Sequence, residues 1–246
     1  MADISYQLYC SRNFPPLDAT LAMLAQTGFT QVEGFGGLYA DEGALKAALD
    51  AAGLQMTSGH FGLDMLENDP AKALSVARTM GMTRVYCPHI MPDARPKDIA
   101  GWRAFGQRLA AAGRPFADAG LVFGWHNHDF ELVDLGGVTP LDLIAETTSL
   151  SLELDLGWVR VAGHDPVAWI RKYAGRITSV HVKDIARDGE AADESGWADV
   201  GHGIIDWAPV KTALDAAGIT HYVIEHDNPN DHARFARRSL AAVKGW

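Results

Sequence analysis

The sequence predicts a single-domain α/β protein with the (β/α)8 architecture, a TIM barrel, over residues 1–246. Strand-like and helix-like segments alternate along the whole chain, and this alternation requires a parallel sheet. Eight strand–helix units in 246 residues favour a closed barrel, which often needs about 250 residues, over an open sheet. No linker or low-complexity tract divides the sequence, so we expect one domain.

Each predicted strand is a short run rich in apolar or β-branched residues. In chain order the strands cover residues 4–8, 31–34, 55–61, 84–87, 121–126, 150–155, 177–182 and 222–225. After each strand, apolar residues recur at helical spacing. The helices cover residues 17–27, 42–52, 70–80, 96–119 (one helix or two), 140–147, 166–173, 209–217 and 231–243. Gly53 and Pro70 support two of these boundaries, since glycine favours the end of a helix and proline its first turn.

Composition argues against several functions. The formal net charge is −10 and the pI about 5.4, which disfavours binding to nucleic acid or to anionic membranes. No signal-peptide pattern and no apolar run of about 18 residues is visible, so we expect a cytoplasmic protein without a membrane span. Cys10 and Cys87 are isolated, which excludes a zinc finger or a disulfide framework. A serine nucleophile of the G-x-S-x-G type is also missing.

Side chains that bind metals end four consecutive predicted strands, in segments 124–128, 152–155, 180–184 and 223–227. Side chains alternate along a strand, so residues two apart share a face. The pairs that share a face are His126 with His128, Glu153 with Asp155, and His181 with Lys183. Because parallel barrel strands end at one mouth, imidazoles and carboxylates at these positions predict a divalent-metal site there.

Each of these strand ends has a candidate ligand. Asp155 could instead cap a helix, but the next predicted helix begins near residue 166, which favours a metal or catalytic role. His181 is predicted to be a ligand, and Lys183 a substrate contact, because an unpaired buried lysine is costly. Glu225 follows an apolar run and needs a partner, which a metal would provide. The coordination position on strand five has three candidates, His126, His128 and Glu131.

The other half of the barrel offers further polar strand ends. Glu33 ends strand two and His60 ends strand three, and we expect both to contact substrate rather than to cap loops. His89, in the loop after strand four, is a weaker candidate. Trp158 could form an apolar wall against a sugar ring. The long loop 185–204 lies at the same mouth and is a candidate functional loop.

A family resemblance is carried by five strings, HNHDFE (126–131), ELDLGW (153–158), HVKD (181–184), GHGIIDW (201–207) and IEHD (224–227). Together they resemble the sugar phosphate isomerase/epimerase family of the xylose-isomerase-like barrel superfamily. This superfamily also holds inosose dehydratases, ketose 3-epimerases and AP endonucleases. The resemblance covers the whole chain and is strongest over residues 121–227.

The resemblance implies one divalent metal ion, most often Mn²⁺, with Mg²⁺, Co²⁺ and Zn²⁺ as alternatives. Its ligands come from strands five to eight, here His126, Asp155, His181 and Glu225. Ketose epimerases of the superfamily carry a glutamate where this chain has His126. That departure puts a scheme with two opposed catalytic carboxylates in doubt, unless Glu131 restores the second one.

The reaction implied is proton removal next to a carbonyl of a sugar-like small molecule, through an enediolate. Glu225 or Glu131 would take the proton. Lys183 or a histidine would donate a hydrogen bond or a proton to the departing or developing oxygen of the substrate. The substrate contacts expected are Glu33, His60, His128 and Trp158.

We therefore expect a metal-dependent isomerase or epimerase of a sugar, sugar phosphate or cyclitol, with a keto-sugar or inosose dehydratase as the alternative. An AP-endonuclease-type phosphodiesterase would need about three metals and a basic face, against the net charge of −10. A non-catalytic sugar-binding barrel would not need Asp155, His181 and Glu225 together. A homo-oligomer is compatible with the sequence.

Overall fold

The barrel predicted from the sequence is confirmed by the computed structural model, which describes residues 2–147 and 149–246. Its strands are β1 Asp3–Gln7, β2 Gln31–Gly34, β3 Gln55–His60, β4 Arg84–Cys87, β5 Val122–His126, β6 Ser151–Asp155, β7 Ile177–Val182 and β10 His221–Ile224. Neighbouring strands are parallel, and the sheet closes where β1 pairs with both β2 and β10. All the strands therefore point their carboxyl ends at one mouth.

The helices pack around this barrel. They are α1 Leu17–Thr27, α2 Glu42–Ala52, α3 Leu63–Asn68, α4 Pro70–Met80, α5 Ile99–Asp118, α6 Pro140–Ala145, α7 Leu156–Val161, α8 Pro166–Lys172, α9 Trp207–Ala216 and α10 His232–Lys244. Two helix boundaries predicted from the sequence are confirmed. Gly53, in the left-handed conformation, caps the C-terminus of α2, and Pro70 is the first residue of α4. The short helices α3 and α7 were not predicted, because six residues show too little of the helical period. None of the described helices is long and apolar enough to cross a bilayer.

The loop after β7 is fixed by one buried carboxylate. It contains a two-stranded ribbon, β8 Asp184–Ile185 paired with β9 Trp197–Ala198. The Asp184 carboxylate accepts hydrogen bonds from Ile185 N, Gly201 N, Gly203 N, Ile205 N and Trp207 Nε1. A Cβ at position 203 would clash with Asp184 itself, so only glycine fits there. The strings HVKD and GHGIIDW thus belong to one structural element of the mouth.

Asp184→Ala is expected to lower the free energy of unfolding by about 3–5 kcal/mol, because the substitution leaves several buried donors without an acceptor. Urea denaturation of the variant and the wild type measures the loss. Asp188→Ala, at an exposed position of the same loop, is the control and should stay close to wild type. A change below about 1 kcal/mol in Asp184→Ala would contradict the role of this carboxylate.

Candidate metal centre and active site

The structure brings the four predicted ligands together at the mouth. His126 and Asp155 end β5 and β6, His181 lies near the end of β7, and Glu225 directly follows β10. One donor atom of each lies within 4.8 Å of the donors of the other three. All four side chains are buried. The alternation of side chains and the common direction of the strands explain this convergence.

Asp155 serves two purposes with its two oxygens. Its Oδ1 accepts a hydrogen bond from Trp158 N at 2.8 Å and caps α7. Oδ2 is buried and has no hydrogen-bond partner among the described residues. The sequence argument against a cap was wrong, because α7 begins directly at Leu156 and not near residue 166. Burial raises the pKa of Asp155 to about 7, although the nearby cationic groups Lys183 and His181 act in the opposite direction.

The two imidazoles offer nitrogens toward this unpaired oxygen. His126 Nε2 and His181 Nδ1 each lie 3.9 Å from Asp155 Oδ2. His181 Nδ1 also lies 2.9 Å from Glu225 Oε2. Burial lowers the pKa of His126 to about 3, so its ring is neutral, the form that binds metals. A divalent cation therefore fits this group. It consists of two imidazoles and two carboxylates, and one carboxylate oxygen, Asp155 Oδ2, has no hydrogen-bond partner among the described residues.

Lys183 lies beside the group with its ammonium directed at carboxylates. Its Nζ lies 2.6 Å from Asp227 Oδ1, 3.1 Å from Glu225 Oε2 and 3.6 Å from Asp155 Oδ2. Burial alone would lower the pKa of Lys183, but these carboxylates raise it well above its usual value. Gly157 allows this placement, because a Cβ there would lie 2.8 Å from the Lys183 Cβ. Lys183 therefore stays a cation and holds negative charge on Glu225.

Glu225 remains ionised in this environment. Burial alone would raise its pKa, but Lys183 and His181 hold the pKa well below its usual range. Lys183 Nζ donates to Oε2, and His181 Nδ1 lies 2.9 Å from the same oxygen. Oε1 accepts no hydrogen bond from the residues that the structure describes.

A second polar layer lies directly beneath the four ligands. His60 Nε2 lies 2.6 Å from Glu153 Oε2, and His181 Nε2 lies 2.8 Å from Glu33 Oε1. Glu33 is completely buried, so the structure places it below the pocket rather than in contact with a substrate as predicted. The sequence reasoning also gave no role to Glu153, although its common face with Asp155 was the available signal.

Glu131 lies outside both layers. Its Oε1 accepts from Trp125 Nε1 at 2.8 Å and its Oε2 from His128 N at 2.9 Å, so both oxygens hold the loop after β5. Burial raises the pKa of Glu131 to about 8. The short 3-10 helix Phe130–Leu132 turns this side chain back against β5, a detail that strand periodicity does not reveal. The structure thus does not place Glu131 where a second catalytic carboxylate was expected.

The cavity at the mouth has a volume of about 550 Å³ and two chemically different sides. Glu225 and Asp227 line it at the end of β10. In the closed strand order β10 lies across the barrel from β4, whose neighbours are β3 and β5. The imidazoles that line the cavity are His60, His89, His126 and His128. Carboxylates at the end of β10 and imidazoles from the strand ends of β3 to β5 therefore line different parts of the cavity, and His126 lies close enough to Glu225 to share an ion with it.

Trp158 packs beside His128 and is not among the described residues that line the cavity. Its ring is 5.4 Å from His128 and 4.8 Å from Trp197, centroid to centroid. Lys183 Nζ lies 5.0 Å from the centre of the Trp158 ring. Trp158 was predicted to form an apolar wall against a sugar ring. The lining of the cavity instead includes Tyr9, Phe35 and Gly36.

A (β/α)8 barrel with a buried group of metal-binding side chains at its C-terminal mouth defines a class of candidate metal-dependent enzymes. This chain belongs to the xylose isomerase-like TIM barrel family, whose model matches residues 21–244. The resemblance predicted from the sequence is thereby confirmed.

The chain is also similar in sequence to a catabolic protein and to a dehydratase. The chain is 26% identical to the rhizopine catabolism protein MocC of Rhizobium meliloti, over 93% of this chain and 82% of that protein. It is 24% identical to an inosose dehydratase of Klebsiella pneumoniae, over 90% of this chain and 88% of that enzyme.

Solved structures share the fold at lower identity. A sugar phosphate isomerase/epimerase from Parabacteroides distasonis superposes with a TM-score of 0.82 at 20% identity, over 99% of this chain and 94% of that one. The IOLI protein with a bound zinc atom superposes with a TM-score of 0.73 at 12% identity, over 100% of this chain and 97% of that one.

Proposed function

We propose that this chain is a divalent-metal-dependent dehydratase, a lyase that removes water from a keto-cyclitol or keto-sugar. The observation that carries the proposal is the uneven lining of the cavity, with carboxylates at the end of β10 and imidazoles from the strand ends of β3 to β5. Elimination of water next to a ketone needs a base for the α-proton and an acid for the leaving hydroxyl. The similarity to inosose dehydratases supports this choice.

The ion is expected among His126, Asp155, His181 and Glu225, the group that contains the unpaired Asp155 Oδ2. A divalent cation held by these residues would supply Lewis-acid polarisation of the substrate carbonyl. The IOLI protein of the same fold holds zinc, which supports a metal site in this chain without deciding between zinc and manganese.

Glu225 is the proposed base. It lines the cavity, it stays ionised beside Lys183 and His181, and its Oε1 is available to a ligand. The Lys183 ammonium stabilises the ionised form of Glu225, which is the form that can accept the α-proton. The proposed role of Lys183 is therefore electrostatic. Asp227, which also contacts Lys183, lies on the same side of the cavity and cannot act on the opposite face of a bound ring.

His60 is the proposed acid. It lines the cavity at the end of β3, and its Nε2 is held by Glu153 at 2.6 Å. Nδ1 is then the ring nitrogen left for a substrate hydroxyl. Burial alone would lower the pKa of His60, but Glu33 and Glu153 raise it above its usual value, so the ring carries a proton to give. His128 contributes a polar contact, because burial lowers its pKa well below the usual value.

Isomerisation or epimerisation, the reaction that the sequence alone favoured, is the second candidate. Inversion at carbon by two opposed carboxylates requires one on each face of the substrate. The strand-five position holds His126, and Glu131 is engaged with Trp125 and His128. Fold similarity to a sugar phosphate isomerase/epimerase keeps this candidate open to test.

Incubation with Mn²⁺ or Zn²⁺ and a panel of inososes and keto-sugars in D₂O separates the two reactions by mass spectrometry. Loss of one water per molecule, with deuterium at the α-carbon of recovered substrate where proton removal is reversible, is the expected result. An epimer or isomer without loss of water would replace the dehydratase proposal by the second candidate. No turnover by a metal-loaded protein across the panel would reject both.

The cavity is expected to prefer an unphosphorylated substrate. Glu225 and Asp227 line it, and none of its described lining residues is lysine or arginine. The nearby Lys183 ammonium is already surrounded by carboxylates. A phosphate would therefore meet the carboxylates of Glu225 and Asp227 without a lysine or arginine in the lining to pair with, and we expect kcat/KM for a phosphate ester to be lower than for the free keto-sugar by about tenfold or more. Equal or better turnover of the ester would contradict this reading of the cavity.

A further inference from the structure

Both ring nitrogens of His181 are in contact with carboxylates on opposite sides. Nδ1 faces the proposed metal group, 2.9 Å from Glu225 Oε2 and 3.9 Å from Asp155 Oδ2. Nε2 points away from that group and lies 2.8 Å from Glu33 Oε1. A neutral imidazole that binds a cation through Nδ1 carries its only ring hydrogen on Nε2. That hydrogen then needs an acceptor in the buried layer below, where Glu33 lies.

Glu33 is itself held in place by two further strands. Gln7 Nε2 donates to its Oε1 at 2.8 Å, and Ser58 Oγ donates to its Oε2 at 2.5 Å. These partners come from β1 and β3, on either side of Glu33 in β2. The Glu33 side chain is completely buried and does not line the cavity. Besides Gln7 and Ser58, the Glu33 carboxylate contacts two imidazoles, and His181 Nε2 at 2.8 Å is closer than His60 Nε2 at 3.2 Å.

We propose that Glu33 is a positioning residue for the metal site: it fixes His181 as the Nε2–H tautomer and aims Nδ1 at the ion. This inference rests on the proposed metal group. Without Glu33, only the more distant Glu153 Oε2 remains near Nε2, at 3.2 Å. Part of the His181 population then carries its hydrogen on Nδ1, and a protonated Nδ1 cannot bind a metal. Loss of such an outer hydrogen-bond partner typically lowers metal affinity by about 10- to 100-fold.

The competing arrangement is an ion in the lower layer. His60, His126, Glu153 and His181 also bring donor atoms within 4.8 Å of one another. An ion there would take Nε2 of His181, which lies 3.2 Å from Glu153 Oε2, and Glu33 would lose its hydrogen bond from that nitrogen. The two arrangements therefore use opposite nitrogens of the same ring.

Zinc titration by calorimetry and long-range ¹H–¹⁵N spectra of the zinc-loaded protein test the proposal together. The variants are Glu33→Ala and Glu33→Gln, and Glu131→Gln is the control because Glu131 is equally buried but lies outside the metal group. Glu33→Ala should bind zinc about 10- to 100-fold more weakly than wild type. Glu33→Gln keeps an amide oxygen as acceptor and should recover most of the affinity, while Glu131→Gln should match wild type.

The spectra should show the His181 hydrogen on Nε2 and zinc on Nδ1 in the wild type and in Glu33→Gln. Unchanged zinc affinity in folded Glu33→Ala, with the same His181 tautomer, would overturn the role of Glu33 and leave the proposed function standing. Zinc on His181 Nε2 would also overturn it and move the ion to the lower layer. No zinc binding by the wild type would overturn both this inference and the metal-dependent function.

Discussion

Glu225→Gln is expected to lower turnover of a keto-cyclitol or keto-sugar by at least about 10²–10⁴-fold, the usual contribution of a positioned general base. The amide cannot accept the α-proton. It also replaces a charged neighbour of His181 Nδ1 and Lys183 Nζ, which lie 2.9 and 3.1 Å from Oε2. Turnover measured at saturating Mn²⁺ or Zn²⁺ isolates the loss of the base from weaker metal binding.

Glu131→Gln is the matched comparison, because the sequence left Glu131 as the other candidate base. Its carboxylate is fully buried and bonded to Trp125 Nε1 and His128 N. This substitution should reduce stability by about 1–3 kcal/mol and affect turnover far less than Glu225→Gln. If folded Glu131→Gln lost as much turnover while Glu225→Gln stayed active, the assignment of the base would be reversed.

Asp155→Asn is expected to abolish activity at micromolar metal while the protein stays folded. Asparagine keeps an oxygen that can accept the hydrogen bond from Trp158 N and cap α7, but it replaces the unpaired Oδ2 with a donor. Loss of a direct ligand should weaken metal binding by more than the roughly 100-fold upper range for an outer partner. Calorimetric metal titration and thermal unfolding of the metal-free protein measure the two effects separately.

Asp155→Ala is the comparison that distinguishes the metal-ligand role of Asp155 from its role as the N-cap of α7. It removes both oxygens, so it should lose metal affinity as Asp155→Asn does and also lose about 1 kcal/mol of helix-cap stability. Wild-type metal affinity in Asp155→Asn would show that Oδ2 does not face the ion.

The barrel could be predicted from the sequence because alternation and strand spacing are properties of local segments. The ends of β5, β6 and β7 and the residue after β10 then had to meet at one mouth, whatever the details of packing. This is why Asp155, His181 and Glu225 could be grouped from the sequence, whereas the choice of His126 on strand five came from the family resemblance.

The departures come from contacts between segments far apart in sequence. Glu33 reads as a strand-end carboxylate, but only the pairing of β2 with β1 and β3 places Gln7 and Ser58 against it and closes it to substrate. Glu131 reads as a loop residue near the mouth, but the turn after β5 directs it to Trp125. Such side-chain directions depend on turns and tertiary contacts, which periodicity does not encode.

The capping role of Asp155 was missed for a different reason. The helix it caps has only six residues, Leu156–Val161, and follows the strand without a loop. A cap and a metal ligand were treated as alternatives, although the two oxygens of one carboxylate can serve both.

A crystal structure of the protein grown with Mn²⁺, with anomalous data collected near the manganese edge, tests the central claim most directly. We expect one anomalous peak per chain, about 2.0–2.3 Å from donor atoms of His126, Asp155, His181 and Glu225, with His181 bound through Nδ1. A metal-replete crystal without a peak at this position, or with these side chains turned away from the ion, would contradict the account.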